Sequence, residues 1–427
     1  MDHTIKKQEE VAVIGLGYVG LPLAVAFAKS RPTIGFDINP NRISKIQSGI
    51  DLNNEVSQSD IARAKNLKVS DDIRDLKTAT FFIITVPTPI SENNEPNLEY
   101  LIEASKLVGS VLKQDDIVVY ESTVYPGATE EICIPILEEV SNLKFNTEFY
   151  VGYSPERISP GDKVHTLENI IKIISGSTLK TVEKVKSIYE EIITAGVYVA
   201  PSIKVAEAAK VIENTQRDLN IALINYLAKL FHTLGIDTHE TLAAAETKWN
   251  FQKFTPGLVG GHCIGVDPYY LAHKSKEVNL PPDLILSARK TNNSMSEYLA
   301  GRVEDLFLSK GLNVNGGSCL VLGLTFKENC PDLRNSGPHK LILALKNIGL
   351  HVEVCDPWVD PYEAKSFYEI GLTNIDQVLN RKFDAIVLAV SHHQFASLIP
   401  HLTAIKDETI IFDLKGFLPR EIVSGRL

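Results

Sequence analysis

Short apolar, β-branched runs recur through the first part of the chain, each closed by turn residues and followed by a longer stretch of helical periodicity. They are Val11 to Ile14, Thr33 to Asp37, Thr80 to Val86, Ile117 to Glu121, Phe149 to Tyr153 and Ile170 to Ser175. Near-continuous hydrophobicity within such short runs is what a parallel sheet covered on both faces requires, so the pattern predicts a doubly wound α/β lobe. From Ser202 to about Leu234 the pattern becomes one helix without glycine or proline, which at 1.5 Å per residue would run for ~50 Å and offer a surface for dimerisation. A glycine-dense section follows from Thr255 to Gly265, then more helix to about Lys310, then a linker from Leu312 to Ser318. Strand signals return at Cys319 to Leu324, His351 to Asp356, Asp384 to Val390 and Thr409 to Leu414, predicting a second α/β lobe that lacks a GxGxxG motif. The expected division is residues 1–200, 201–312 and 313–427.

Composition narrows the function classes. A length of 427 residues with 22% charged and 44% hydrophobic positions is ordinary globular usage. The formal net charge of −10 argues against a general nucleic-acid or anionic-membrane binder. Cys133, Cys263, Cys319, Cys330 and Cys355 are odd in number and contain no CxxC pair, so neither a disulfide framework nor a structural zinc site is expected, and a reduced, cytoplasmic setting is. The 18 uncharged residues from Val11 to Ala28 superficially match a membrane span or signal, but three glycines and a proline interrupt them, and no insertion is expected.

The glycines in that segment have a chemical reading. Val11 to Ile14 leads into Gly15, Gly17 and Gly20 and then an apolar helix, the strand, turn and helix context of a dinucleotide-binding loop. Gly15 permits the turn, Gly17 lets backbone approach a pyrophosphate, and Gly20 permits close helix packing. Asp37 follows Gly15 by 22 positions, where a carboxylate accepts from a ribose diol and repels a 2′-phosphate, so NAD is expected over NADP. Arg42 nearby would cover the adenine or stay solvated. The loop Thr85, Val86, Pro87, Thr88, Pro89 follows a buried strand, where open α/β sheets place ligands.

Cys263 lies among Gly257, Gly260, Gly261 and Gly265, and Asp267-Pro268 reads as the cap and first position of a helix. A cysteine just before a helix N-terminus is favoured as thiolate, hence as a nucleophile. Adjacent side chains in an extended loop point in opposite directions, so His262 is expected to be a poor base for Cys263 and to serve backbone support. No spacing among His232, His239, His262 and His273 supports a metal site. Glu207, Lys210 and Asn214 fall on one helix face, and a rigidly held Lys and Asn suit stabilisation of an oxyanion.

Together these residues resemble the UDP-glucose/GDP-mannose dehydrogenase family, and within it the UDP-N-acetylhexosamine 6-dehydrogenases. The matching stretches are VIGLGYVGLPLA from Val13, TVPTP from Thr85, ESTVYPG from Glu121, YSPERISPGD from Tyr153, KVAEAAKVIENTQRDLNIA from Lys204, PGLVGGHCIGVDPYYL from Pro256 and GLTFKENCPDLRNS from Gly323. The resemblance implies two Rossmann-like doubly wound lobes joined by a long central helix and a helical middle domain. It implies an NAD-binding domain, a central dimerisation domain bearing the cysteine loop, and a UDP-sugar-binding domain. It further implies a metal-free, two-step oxidation of the sugar C6 alcohol through a thiohemiacetal and a thioester on Cys263, supplying surface polysaccharide synthesis.

By that resemblance Lys210 and Asn214 would stabilise the oxyanion, Asp267 would assist water activation, and Thr123 and Glu156 would hold the catalytic water. Cofactor contacts would come from Gly15, Gly17, Tyr18, Val19, Gly20, Asp37, Arg42, Thr85, Pro87, Thr88 and Thr123, with Arg334 reaching the pyrophosphate from the second lobe. Glu156, Arg157, Lys210, Asn214, Gly260 and Lys327 would bind substrate. Pro160 and Val266 depart from the UDP-glucose branch, which has an acid and a lysine there. The expected substrate is therefore UDP-N-acetylglucosamine, with UDP-N-acetylgalactosamine the alternative and UDP-glucose less favoured. A homodimer through the central helix is expected. A nonenzymatic sensor, a cysteine hydrolase and a two-electron alcohol dehydrogenase are the competing classes.

Overall fold

A computed structural model describes residues 9–158, 164–261 and 263–427; Pro160 and His262 lie outside the described residues. The chain packs as two compact units: one runs through Glu213 and takes back Tyr269–Leu280, and the other comprises Asn214–Pro268 and Pro281–Leu427.

The first unit is built on eight strands: β1 (Val11–Ile14), β2 (Thr33–Phe36), β3 (Leu67–Ser70), β4 (Phe81–Ile84), β5 (Ile117–Tyr120), β6 (Tyr150–Tyr153), β7 (Lys172–Gly176) and β8 (Val197–Val199). Their order across the sheet is β3-β2-β1-β4-β5-β6-β7-β8. All four residues of β1, β2, β4 and β5 are buried, as strands covered on both faces must be. The apolar segment from Val11 to Ala28 is thus a strand, a turn and the helix Gly20–Ala28. β7 departs from the all-parallel expectation by pairing antiparallel with β6, Gly152 opposite Gly176.

The second unit carries β9 (Ser318–Leu322), β10 (His351–Cys355), β11 (Ala385–Leu388), β12 (Ile410–Asp413) and β13 (Gly425–Arg426), ordered β10-β9-β11-β12-β13 and parallel throughout. Leu299, Val303 and Phe307 of the helix Met295–Ser309 pack with Leu341 and Leu345 of the helix Gly337–Asn347 to form one core. Both lobes are Rossmann-like. In each sheet the order reverses beside the first strand, between β1 and β4 and between β9 and β11, and such switch points are where open α/β sheets present their binding loops.

The long helix runs from Ile203 to Leu234, 32 residues, as the pattern indicated. Gly235 ends it at φ +70°, with Ile236 N–H donating to Phe231 O and Gly235 N–H to His232 O, the paired bonds of a Schellman motif. Among the described residues no helix is long and apolar enough to cross a membrane.

Candidate functional site

In the first unit the glycine loop is built as its spacing implied. Gly15 takes φ +93° and donates to Phe36 O at 2.8 Å. A Cβ on Gly20 would collide with Gly15 O and the Thr85 hydroxyl, whereas one on Gly17 would meet nothing within 4 Å. The backbone is therefore bare at Gly17, which fits a pyrophosphate resting there, and at Gly20 it is closed against the strand. Asp37, buried, accepts from Leu16 N–H at 2.9 Å, Asn39 N–H at 2.9 Å and Arg42 Nη1 at 3.0 Å. Arg42 is thus neutralised by Asp37. The residues present fit NAD.

The Thr85 to Pro89 loop supports this floor. The Thr85 hydroxyl lies 2.7 Å from Gly15 O and 3.0 Å from Ile14 O, and the Thr88 hydroxyl donates to Thr123 O at 2.7 Å. Pro87 is exposed, and Tyr18, Val19 and Thr123 are half-buried. Both threonine hydroxyls are thus directed at backbone.

Lys210 Nζ lies 3.9 Å from Glu156 Oε2, with both side chains about 5% exposed. Glu156 also accepts from Ile158 N–H. Arg157 pairs with Glu213 at 2.8 Å and donates to Ile171 O at 2.8 Å. Beneath them Lys172, buried, donates to Glu121 at 2.7 Å and to Pro155 O at 3.1 Å. That one ammonium ties the strand end two residues before Thr123 to the turn just before Glu156. Glu207 does not join Lys210: its carboxylate turns to Gly127 N–H at 2.5 Å and Thr129 N–H at 2.9 Å. Burial pushes its pKa up to about 7 despite those bonds.

In the second unit Asn214 Nδ2 donates to Asp267 Oδ2 at 2.6 Å. Asp267 opens the helix Asp267–Glu277 as its first residue, one place later than the cap position expected, and its N–H closes a turn onto Cys263 O at 2.9 Å. Cys263 therefore stands one turn ahead of the helix. It is half-exposed, and the other four cysteines are buried; burial pushes the thiols of Cys133, Cys319 and Cys355 up to about 12. A Cβ on Gly260 would lie 2.6 Å from Asn335 O, so this glycine serves close backbone packing. Lys327, half-buried, lies over the Phe326 ring at 5.6 Å. The Arg334 guanidinium is held bidentately by Asp332 at 2.9 and 2.6 Å. Among the described residues no group of three or more His, Cys, Asp or Glu is placed to hold a metal ion.

Known families match along nearly the whole chain. Residues 9–193 match the NAD-binding domain, 204–294 the central domain and 320–420 the UDP-binding domain of the UDP-glucose/GDP-mannose dehydrogenases. The chain belongs to the UDP-glucose/GDP-mannose dehydrogenase family. It is an NAD-dependent oxidoreductase whose third domain is of the UDP-binding type. Relatives in this family include the UDP-N-acetyl-D-glucosamine 6-dehydrogenase of Salmonella typhi, 52% identical with 98% of each chain covered. That of Pseudomonas aeruginosa is 51% identical over 99% of this chain and 100% of the relative. The solved UDP-D-ManNAc dehydrogenase of Pyrococcus horikoshii superposes with a TM-score of 0.87 at 33% identity, covering 98% of each chain.

Sequence reasoning missed Asn225 and Asn335, which hold the cysteine loop, and the buried Lys172–Glu121 pair. A signal existed for Asn225, an isolated amide in the apolar run Ala222 to Ala228. One existed also for Asn335, in the turn-forming string Asn335, Ser336, Gly337, Pro338.

Proposed function

We propose that this chain oxidises the C6 alcohol of UDP-N-acetyl-D-glucosamine to the uronic acid in two NAD-dependent steps, through a covalent adduct on Cys263. The observation that carries the chemistry is the isolation of Cys263 as the one half-exposed thiol of five, in a glycine loop at the head of the helix that begins with Asp267. The similarity to UDP-N-acetylglucosamine 6-dehydrogenases over 98% of the chain carries the substrate.

Bound NAD supplies the acceptor for two electrons, taken as hydride, in each of the two oxidations. The first oxidation removes a hydride and a proton from the alcohol and leaves an aldehyde. The Cys263 thiolate adds to the aldehyde carbon, and the resulting oxyanion is met by the Lys210 ammonium and the Asn214 amide. Oxidation of that thiohemiacetal gives a thioester. Water then adds with Asp267 as base and with Thr123 and Glu156 orienting it, the C–S bond breaks, and the acid leaves. The adduct retains a reactive aldehyde that would otherwise escape. Arg157 and Lys327 contact the nucleotide-sugar, and Arg334 the NAD pyrophosphate.

The thiolate requires reducing surroundings, consistent with a cytoplasmic enzyme whose product feeds surface polysaccharide synthesis. A homodimer through the long helix is supported by Leu223, Tyr226, Leu230 and Leu234, which are 54%, 58%, 38% and 60% exposed and fall on one face at spacings of three and four.

The test measures kcat/KM for UDP-N-acetylglucosamine, its galacto epimer and UDP-glucose, together with NADH formed per acid. The expected result is the highest value for the first substrate, two NADH per acid, and loss of acid formation in Cys263→Ser with substrate binding retained. A higher value for the galacto epimer overturns the substrate assignment, and one NADH per product overturns the mechanism.

A further inference from the structure

Two asparagines outside that mechanism grip the loop that carries Cys263. Asn225, fully buried on the long helix, accepts from Gly257 N–H at 2.8 Å and returns a bond to Gly257 O at 3.0 Å. Its amide nitrogen also donates to Asn292 Oδ1 at 2.8 Å. Asn292 in turn donates to Asp218 Oδ1 at 2.7 Å, an oxygen that also accepts from Arg289 at 2.5 Å. The Asn225 amide therefore has both functions committed inside the fold.

Four residues further along the loop a second reciprocal pair appears. Gly261 N–H donates to Asn335 O at 3.1 Å, and Asn335 Nδ2 donates to Gly261 O at 3.0 Å. Asn335 holds φ +49°, a left-handed conformation that asparagine tolerates better than most residues. The turn around it is closed by the Tyr368 hydroxyl, which donates to Leu333 O at 2.5 Å and accepts from Ser336 N–H at 3.1 Å. The loop wraps Asn335 closely: a Cβ on Gly260 would lie 2.6 Å from its carbonyl oxygen, and one on Gly265 2.9 Å from its amide nitrogen. Cys263 follows the second grip by two positions and is closed onto the Asp267 helix by its own carbonyl. The Asn335 grip lies two positions before the thiol and the bond from Asp267 N–H follows it, so a shift at Gly261 acts close to Cys263.

We infer that Asn225 and Asn335 are positioning residues, a clamp that holds Cys263 where it captures the aldehyde before the aldehyde can leave. The inference rests on Cys263 as the nucleophile. The two oxidations depend on the clamp differently: the first needs no thiol, whereas capture does, and a displacement of ~1 Å in a reacting group is enough to cost about 10²-fold. Loosening the clamp therefore separates the steps instead of slowing both alike.

The decisive variant is Asn335→Gly, which keeps the left-handed backbone and the carbonyl that accepts from Gly261 and deletes only the amide bond. Asn225→Asp removes the donor at the other anchor at constant shape. Expected for Asn335→Gly is a fall of about tenfold or more in the rate of acid formation, with KM for NAD unchanged. NADH per acid should rise above two, and semicarbazide should trap free aldehyde. Iodoacetamide should alkylate Cys263 at an altered rate in the absence of any substrate. Two NADH per acid and wild-type alkylation in a variant that melts at the wild-type temperature would overturn the clamp. Should Asn225→Asp fail to fold, Asn335→Gly alone decides. The parent reading fails separately, if the wild type yields one NADH per product or Cys263→Ser still forms acid; the capture role then falls with it, and the alkylation rate still tests whether the two asparagines fix the Cys263 loop.

Discussion

The two lobes open on the same turn and use it differently. After β1, Gly15 sits at φ +93° and Leu16 N–H donates to Asp37 at the end of the neighbouring strand. After β9, Gly323 sits at φ +100° and Leu324 N–H donates to Asp356 in the corresponding place, at 2.6 Å. In the first lobe the helix begins at Gly20, five residues after Gly15, so its N-terminus lies over the turn. In the second the helix waits until Gly337, and the intervening chain carries Lys327, Arg334 and Asn335. Asp37 meets a partly exposed arginine. Asp356 is covered by fully buried His392, whose Nδ1 accepts from Asn329 N–H at 3.0 Å, leaving the proton on the Nε2 that lies 3.1 Å from the carboxylate. The first junction is covered by a partly exposed arginine, and the second is sealed by a buried imidazole so that its long loop has a fixed base.

Removing the two acids separates those roles most sharply. Asp356→Ala leaves the buried Leu324 and Thr325 N–H groups and the Trp358 N–H without their carboxylate acceptor and removes that of the His392 imidazole, and at about 1–3 kcal/mol per unsatisfied buried group the expected loss of stability in a urea melt is about 3–5 kcal/mol. Asp37→Ala is expected to weaken NAD binding roughly ten- to hundredfold by titration calorimetry, as loss of a charged hydrogen-bond acceptor does, with a much smaller change in the melt. Equal destabilisation by both would break the distinction.

A smaller effect sharpens it from the first junction. A methyl at Gly17 meets nothing in the protein, so Gly17→Ala should melt like the wild type while its Kd for NAD rises about tenfold, as obstruction of backbone approach to the pyrophosphate implies. Unchanged affinity would remove Gly17 from the cofactor site.

The smallest expected effect concerns pH, to which one buried acid in each unit responds in the opposite sense. Burial opposes ionisation of Asp356, but the hydrogen bond from His392 and the Leu324 and Trp358 N–H donors outweigh it and hold the carboxyl below 3.8. That stability is present above pH 3.8 and is lost as pH falls through the lower folded value. Glu207 is raised from 4.5 to about 7 by burial, so its contribution is lost as pH rises through that window. Melting temperatures of Glu207→Gln minus wild type should therefore increase from pH 4.5 to 7 and level off above it; a flat difference would show that Glu207 ionises as readily folded as unfolded.

Much of the site was legible because it is local. Gly15, Gly17, Gly20 and Asp37 announce themselves by spacing along one strand, turn and helix, and Cys263 by the glycines on either side of it. Glu207 shares a helix face with Lys210 by spacing, yet its carboxylate turns to Gly127 and Thr129, because helical spacing gives a shared face but not the direction of a long side chain. Neither β3 nor β8 was recognised, being only partly buried, and the reversed direction of β7 has no signature in composition.

The sequence by itself determined the alternation of strands and helices, the long helix between Pro201 and Gly235, the NAD loop with its acid, and the cysteine loop, because each depends on residues close together in the chain. Only the tertiary structure decided that Asn225 meets Gly257 across 32 positions, that Gly261 meets Asn335 across 74, and that His392 covers Asp356 across 36. Those bonds join elements that come together only when their apolar faces are buried, and a polar group's partner is chosen by that packing.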